Sequence, residues 1–414
     1  MSVLGIISEY NPYHTGHAHL LEQAKELTGA DHSVSVMSGC FSQQGMPMSR
    51  DKYTRAAAAS AAGIDLVFEL PTLFACSSAR DFALGGVTLL TRLGLPDTLC
   101  FGVEHPEPEL FSEIAACIAE EPEVYRDTLQ RGLKNGNAFP AAREDALAAV
   151  LGDHVRPVVR EPNNILALEY MTAIRQTGSP LRPCLIKRSA DYHAGGPASA
   201  TVIRNHLSML YEQSKTGTSD SSESPDDYLR QVLPPEVYPV FRSHAAYFLL
   251  SPEGLMPYLA ACLLRLSEDA PEADLPMDMT PEMYHRLKKI HLPSDYETVL
   301  TEMKRKNETR GRITRALLHL ILDIREKDRL SLDKLSKEPL YLNLLAARRD
   351  STFLLRNAEG IHIITKKADH RPSTPAITRM WDLDLKASRL YSQLYHDAFG
   401  ITLTDELQQS PIFV

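Results

Sequence analysis

Paired cysteines are missing from this sequence. The six that occur, Cys40, Cys76, Cys100, Cys117, Cys184 and Cys262, are scattered through 414 residues and form no Cys-x-x-Cys motif. That argues against a disulfide scaffold or a zinc knuckle and suits reduced thiols in a cytoplasmic protein. Long apolar runs are missing too, and no basic segment followed by an apolar one opens the chain. No membrane span and no signal peptide are therefore expected. There is no excess of positive charge: 44 Lys and Arg face 53 Asp and Glu, for a formal net charge of −9. Any contact with nucleic acid must come from a local patch. Hydrophobic residues at 43% and charged residues at 23% describe an ordinary globular chain, long enough for two domains.

The first twenty residues, MSVLGIISEYNPYHTGHAHL, carry the densest signal. Val3 to Ile7 is a short, apolar, β-branched run, which predicts a buried strand. Asn11-Pro12 is a turn dipeptide. After it come His14, Gly16 and His17, then an apolar-periodic stretch (Leu20, Leu21, Ala24, Leu27) ending near Gly29. A strand, tight loop and helix follow, with two histidines and a glycine at the helix entrance. A helix N-terminus has unpaired N–H groups and partial positive charge, so it can hold a phosphate. Gly16 lets the backbone approach a ligand, and the imidazoles can donate to phosphoryl oxygens during displacement. Two plainer readings compete: capping or packing, and metal ligation by His14, His17 and His19. Their i, i+3, i+5 spacing does not put three rings on one helix face.

Further along, apolar runs alternate with helical patterns. Strands are expected at Val34 to Met37, Leu66 to Leu70, Thr98 to Val103 and Leu185-Ile186. Helices are expected from Asp51 to Ala62, Ser78 to Leu93 and Ile165 to Arg175. This is the pattern of βαβ units around a parallel sheet, an α/β, Rossmann-like domain at about residues 1–210. The charged helical stretch 106–155 reads as an insertion. Ligands bind beyond the carboxyl ends of such strands, where the HTGH loop, the Ser38–Gly45 loop and Gly102 all fall. Lys187-Arg188 ends a strand on the same rim. Ser199, Thr201 and Arg204 open another helix, where the hydroxyls either cap it or, with Arg204, hold outer phosphates and a pyrophosphate leaving group.

His14-Thr15-Gly16-His17 and the later S/T-x-x-R run resemble the HxGH nucleotidyltransferase superfamily. More specifically, the chain resembles the bacterial tRNA(Met) cytidine acetate ligases. The likeness rests on Gly5 to His17, the Ser-Gly-x-Phe loop at Ser38, Asp51 to Arg55 and Asp65 to Pro71. It continues through Cys100-Phe101-Gly102, Pro162 to Leu166, Ile186-Lys187-Arg188 and Ser199 to Arg204. Cys40 and Gln44 depart from the family's asparagine and arginine. The resemblance implies acetate activation with ATP as acetyl-adenylate, then acetylation at N4 of the wobble cytidine of elongator tRNA(Met). It implies ATP contacts from Ile7, Ser8, Glu9, Tyr10, Asn11, Pro12, Tyr13, His14, Thr15, Gly16, His17, Ala18, His19 and Leu20. Gly102, Asn163, Arg188, Ser199 and Thr201 would complete the set. His14, His17, Lys187, Arg188 and Arg204 would be the cationic or donor groups of catalysis. A Mg²⁺ ion would bind through phosphate oxygens, without a protein ligand cluster.

Residues 215–227 (KTGTSDSSESPDD) are polar and acidic, so 211–228 reads as a linker or surface insertion. From 229 to 414 the pattern is mainly helical and is expected to bind tRNA. A basic run from Lys304 to Arg315 leads into an amphipathic helix, either as a solvated face or as a phosphate-backbone contact. Tyr341 to Leu345 and Ile361 to Thr365 read as strands of a small C-terminal unit, with Lys366-Lys367 extending the positive surface. No protein partner is indicated. A transferase acting on a small phosphorylated metabolite and a non-catalytic nucleotide-binding scaffold stand as alternatives. The large C-terminal region argues against the first, and the two histidines with Arg204 against the second.

Overall fold

The chain, seen in a computed structural model, is described over residues 1–188, 199–216, 224–242, 250–267, 271–358 and 360–414. Its centre is an eight-stranded sheet: β1 (Val3–Ser8), β2 (His32–Ser38), β3 (Leu66–Leu70), β4 (Thr98–Val103), β5 (Arg182–Lys187), β6 (Tyr341–Ala347), β7 (His362–Ile364) and β8 (Ile412–Phe413). The order is β5-β4-β1-β2-β3-β6-β7, with β8 also on β6. β1 to β5 are mutually parallel. Chain direction across the sheet reverses between β1 and β4, and that opens a crevice beyond their carboxyl ends.

Both faces of the sheet are covered, which is why these strands read as continuous apolar runs rather than alternating ones. Val3 and Ile7 of β1 belong to one core and Leu4 and Ile6 to another. On the first face Gly86 lies against Ile7, where an added Cβ would fall 2.6 Å from Ile7 Cδ1. On the second, Leu21 and Ala24 of the Thr15–Thr28 helix pack inward. Local chemistry sets the helix ends. Asp51 and Ser78 cap the Lys52–Ala61 and Ala79–Leu93 helices, and Gly29 closes the first helix in the left-handed conformation. Helices Pro108–Glu120, Glu123–Lys134 and Phe139–Leu151 fill the expected insertion, and Arg156–Arg160 leads into Pro162–Thr177.

The C-terminal strands differ from expectation. Rather than forming their own unit, Tyr341–Ala347 pairs antiparallel with β3 and carries β7 and β8 on its other side. The cause is β3, buried at every position, whose open edge would otherwise leave backbone groups unpaired. Glu69 stands opposite Asn343 in register, and Asn343 Nδ2 donates to Glu69 Oε2 at 2.7 Å. Lys52 Nζ donates to both Glu69 oxygens at 2.7 Å and lies 3.1 Å from Glu406. The long Pro375–Phe399 helix adds Asp384, which accepts the Thr72 N–H at 2.6 Å and the Tyr341 hydroxyl at 2.5 Å. Residues beyond 340 thus complete the sheet that the first 187 begin. Lys367 is likewise not on the surface: it is 1% exposed, and its ammonium lies 5.1 Å from the Tyr53 ring centroid. Of the expected linker, 217–223 lie outside the described residues, and 225–232 form a helix. In the region expected to be mainly helical, 243–249 fall outside them as well, and Tyr238–Arg242 forms a helix.

Candidate active site

β1 delivers its chain end directly into the crevice. Tyr10 (φ 47°) turns the backbone, and the buried rings of Tyr10 and Tyr13 anchor the loop in the second core. Asn11 Oδ1 accepts the Ser49 N–H at 2.8 Å and the Ser49 hydroxyl at 2.6 Å, so the turn is held from behind. His14 then caps the Thr15–Thr28 helix. Its Nδ1 accepts the Gly16 N–H at 3.0 Å, and His17 Nδ1 accepts the His14 N–H at 3.3 Å. This is a capping box built from two imidazoles, with ring centroids 4.1 Å apart.

That geometry fixes the chemistry of both rings. An Nδ1 that accepts a backbone N–H leaves the ring proton on Nε2. Burial, reinforced by the Arg188 and Arg204 charges, holds His14 down at about 3. Burial, His14 and Arg188 hold His17 well below the usual imidazole range. Both rings are therefore neutral Nε2–H donors in the free protein, and the positive charge comes from the arginines and Lys187.

The fold brings Arg204 to this loop from 190 residues away in sequence. Its Nη1 donates to the Asn11 carbonyl at 2.7 Å and its Nη2 to Thr201 Oγ1 at 3.1 Å. Ser199 Oγ accepts the Val202 N–H at 3.3 Å, a cap on the Ala200–Thr216 helix. At the end of β4, a Cβ on Gly102 would lie 3.2 Å from Arg188 Cγ and 3.5 Å from Leu20 Cδ1, so glycine lets both lie close. Glu104 ties the far side together: its Oε1 is 3.6 Å from Arg188 Nε and accepts Asn163 Nδ2 at 2.7 Å. Lys187 ends β5 opposite Val103 and is exposed. Thr15, Ala18 and His19 are half-buried in the opening turns of the first helix, and Ser8 Oγ lies 3.1 Å from Ser35 Oγ.

Two supports were not visible in the sequence as site residues. Glu104 lies one residue beyond the expected Thr98–Val103 strand. Arg55 is fully buried and gathers carbonyls at the ends of β1 and β2, Glu9 at 2.6 Å, Ser38 at 3.1 Å and Gly39, together with that of Arg50 at 3.0 Å before its own helix. Glu9 Oε1 accepts the Gln43 N–H at 2.6 Å, and desolvation pushes its carboxyl up. The Ser38–Gly45 loop in turn rests on the Arg310–Leu322 helix. Thr314 Oγ1 donates to the Gln44 carbonyl at 2.5 Å, and a Cβ on Gly45 (φ 76°) would fall 2.9 Å from Arg315 Cα. Two of the six cations in the basic run pair with carboxylates, Arg310 with Glu297 and Arg315 with Asp278, each at 2.6 Å, whereas Lys304, Arg305 and Lys306 stay exposed. Cys40 is buried, its thiol pushed up to about 12 by burial, so it is an inert packing residue. Among the described residues no group of three or more His, Cys, Asp or Glu is arranged to hold a metal ion, and no helix is long and apolar enough to cross a membrane.

A parallel sheet with a crevice at its switch point, and a paired-imidazole helix start facing an arginine, define a nucleotidyltransferase of the HxGH class. The family description HIGH Nucleotidyl Transferase matches residues 1–404. Relatives called tRNA(Met) cytidine acetate ligase match nearly end to end. That of Acetivibrio thermocellus is 32% identical over 412 residues, covering 95% of each chain, and that of Clostridium perfringens is 33% identical over 412 residues. The crystal structure of Thermotoga maritima TmcAL bound with alpha-thio ATP superposes with a TM-score of 0.85 at 26% identity, over 100% of both chains. The chain belongs to the tRNA(Met) cytidine acetate ligase family.

Proposed function

We propose that this protein activates acetate with ATP and transfers the acetyl group to N4 of the wobble cytidine of elongator tRNA(Met). The observation that carries the reading is the pair of imidazoles, each accepting a backbone N–H at Nδ1, held at the helix start on the loop that Arg204 also grips. Ile7 to Leu20, Gly102, Asn163, Arg188, Ser199 and Thr201 would surround the nucleotide. An acetate oxygen attacks the α-phosphorus, the bond to the bridging oxygen breaks, and pyrophosphate leaves with its electron pair. The cytosine amine then attacks the acetyl carbon, AMP departs, and one proton is released. Little covalent work falls to the protein, so positioning and charge neutralisation dominate. His14 and His17 donate to phosphoryl oxygens as their charge grows, and Lys187, Arg188 and Arg204 neutralise it. Mg²⁺, held mainly through phosphate oxygens, would supply further neutralisation.

In this reading residues 1–210 carry the ATP chemistry, and 229–414 meet the tRNA in the cytoplasm. The name borne by the relatives and the ATP analogue in the Thermotoga maritima protein support it. The test is acetate-dependent ATP–pyrophosphate exchange, followed by nucleoside analysis of tRNA incubated with labelled acetate. Exchange lost in His17→Ala, with label at N4 of the wobble cytidine in wild type, is the expected result. Exchange that does not depend on acetate would refute the reading.

A further inference from the structure

We infer that the cavity between the inserted helices and the basic C-terminal helix receives one unpaired nucleotide of the RNA partner. The inference rests on the reading above and adds a subsite to it. The cavity holds about 480 Å³, a size that takes one nucleotide or drug-sized ligand. Tyr125, Phe139 and Leu168 give it apolar and aromatic walls suited to a planar ring.

Two wall groups fix what that ring must offer. Thr172 is 2% exposed, and its hydroxyl has no hydrogen-bond partner among the described residues. Arg143 pairs through Nη1 with Glu169 at 2.5 Å and also interacts with the Tyr125 hydroxyl, and its buried Nη2 has no hydrogen-bond partner among the described residues. Buried polar groups left unpaired are costly, and a ligand that satisfies them recovers that cost. Nη2 calls for an acceptor, and the threonine hydroxyl takes either role. Because Glu169 already neutralises Arg143, a neutral ring with carbonyl or ring-nitrogen acceptors on its edge suits the wall better than an anion does. Nucleobases carry such an edge. The phosphate would stay outside, at the rim, where exposed Arg80 and half-buried Arg312 lie.

The cavity also shares its boundary with the catalytic crevice. Gln43 lines it, and the Gln43 N–H is bonded to Glu9, five residues before His14. Ile165 lines it as well, on the helix whose Asn163 reaches Glu104 beside Arg188. Thus the basic helix, largely paired internally, serves as one wall of a base pocket more than as a bare charged surface.

The test uses the full chain with two substitutions that spare the ATP site. Phe139 is 51% exposed, so Phe139→Ala can be made without opening the core. Thr172→Val keeps shape and removes the hydroxyl. Wild type and both variants are assayed for acetate-dependent ATP–pyrophosphate exchange, and for acetyl transfer to unmodified elongator methionine tRNA. The expected result is unchanged exchange with KM for tRNA raised about tenfold in Phe139→Ala and severalfold in Thr172→Val. Wild-type KM for tRNA in both variants would overturn the inference, as would an equal loss of exchange and transfer. If wild type performs exchange but acetylates no tRNA, the functional reading itself fails, and the pocket assignment with it.

Discussion

Acid should weaken this protein through His14 in a way that one substitution removes. The imidazole is 5% exposed, and its pKa in the folded state lies near 3, against about 6.5 in an unfolded chain. Below 6.5 the unfolded chain takes up a proton that the folded protein refuses, so the stabilisation is complete above 6.5 and drains away as pH falls toward 3. Between pH 7 and pH 5 the loss from this one group comes to about 2 kcal/mol. His14→Asn keeps a side-chain acceptor for the Gly16 N–H, because asparagine is a good N-cap, but has nothing to titrate. Urea unfolding at pH 7 and pH 5 gives both stabilities. Wild type should lose about 2 kcal/mol more than the variant over that interval. Parallel losses would show that His14 takes a proton readily in the folded state, and the neutral-donor argument would fall.

Arg204→Lys should slow acetate-dependent exchange on the order of 10- to 150-fold, since a charged hydrogen bond contributes about 1.5–3 kcal/mol and lysine cannot span Asn11 and Thr201 together. Glu104→Gln keeps an acceptor for Asn163 but loses the charge opposite Arg188. KM for ATP should rise roughly two- to fivefold, because a partly exposed pair is worth about 1 kcal/mol or less. Glu69→Ala leaves Lys52 with Glu406 as its remaining carboxylate and removes the short Asn343 bond at the β3–β6 junction. Urea unfolding should show a loss of about 1.5–3 kcal/mol, and a change below about 0.5 kcal/mol would mean that the network does not hold the two halves together.

What could be read from the sequence was what is decided locally. The β1–HTGH–helix unit, the helix starts near Asp51 and Ser78 and the Gly29 stop depend on neighbours a few residues away. Arg204 was legible as a motif, although its bond to Asn11 comes from the topology. The failures share one cause, dependence on distant partners. Tyr341–Ala347 is a short apolar run whose pairing with β3 spans some 270 residues, and nothing within it names that strand. Lys367 looks like a surface cation until Tyr53 and Gln409 are seen around it. Arg315 is basic in sequence and neutralised in space by Asp278. Glu104 carries no motif, and only the convergence of Arg188 and Asn163 on its carboxylate gives it a role.

Incubation of the purified protein with ATP, magnesium, labelled acetate and unmodified elongator methionine tRNA addresses the central claim directly. The account predicts labelled N4-acetylcytidine at the wobble position, with one AMP and one pyrophosphate released per acetyl group transferred. Label confined to a small molecule, or ADP in place of AMP, would contradict it.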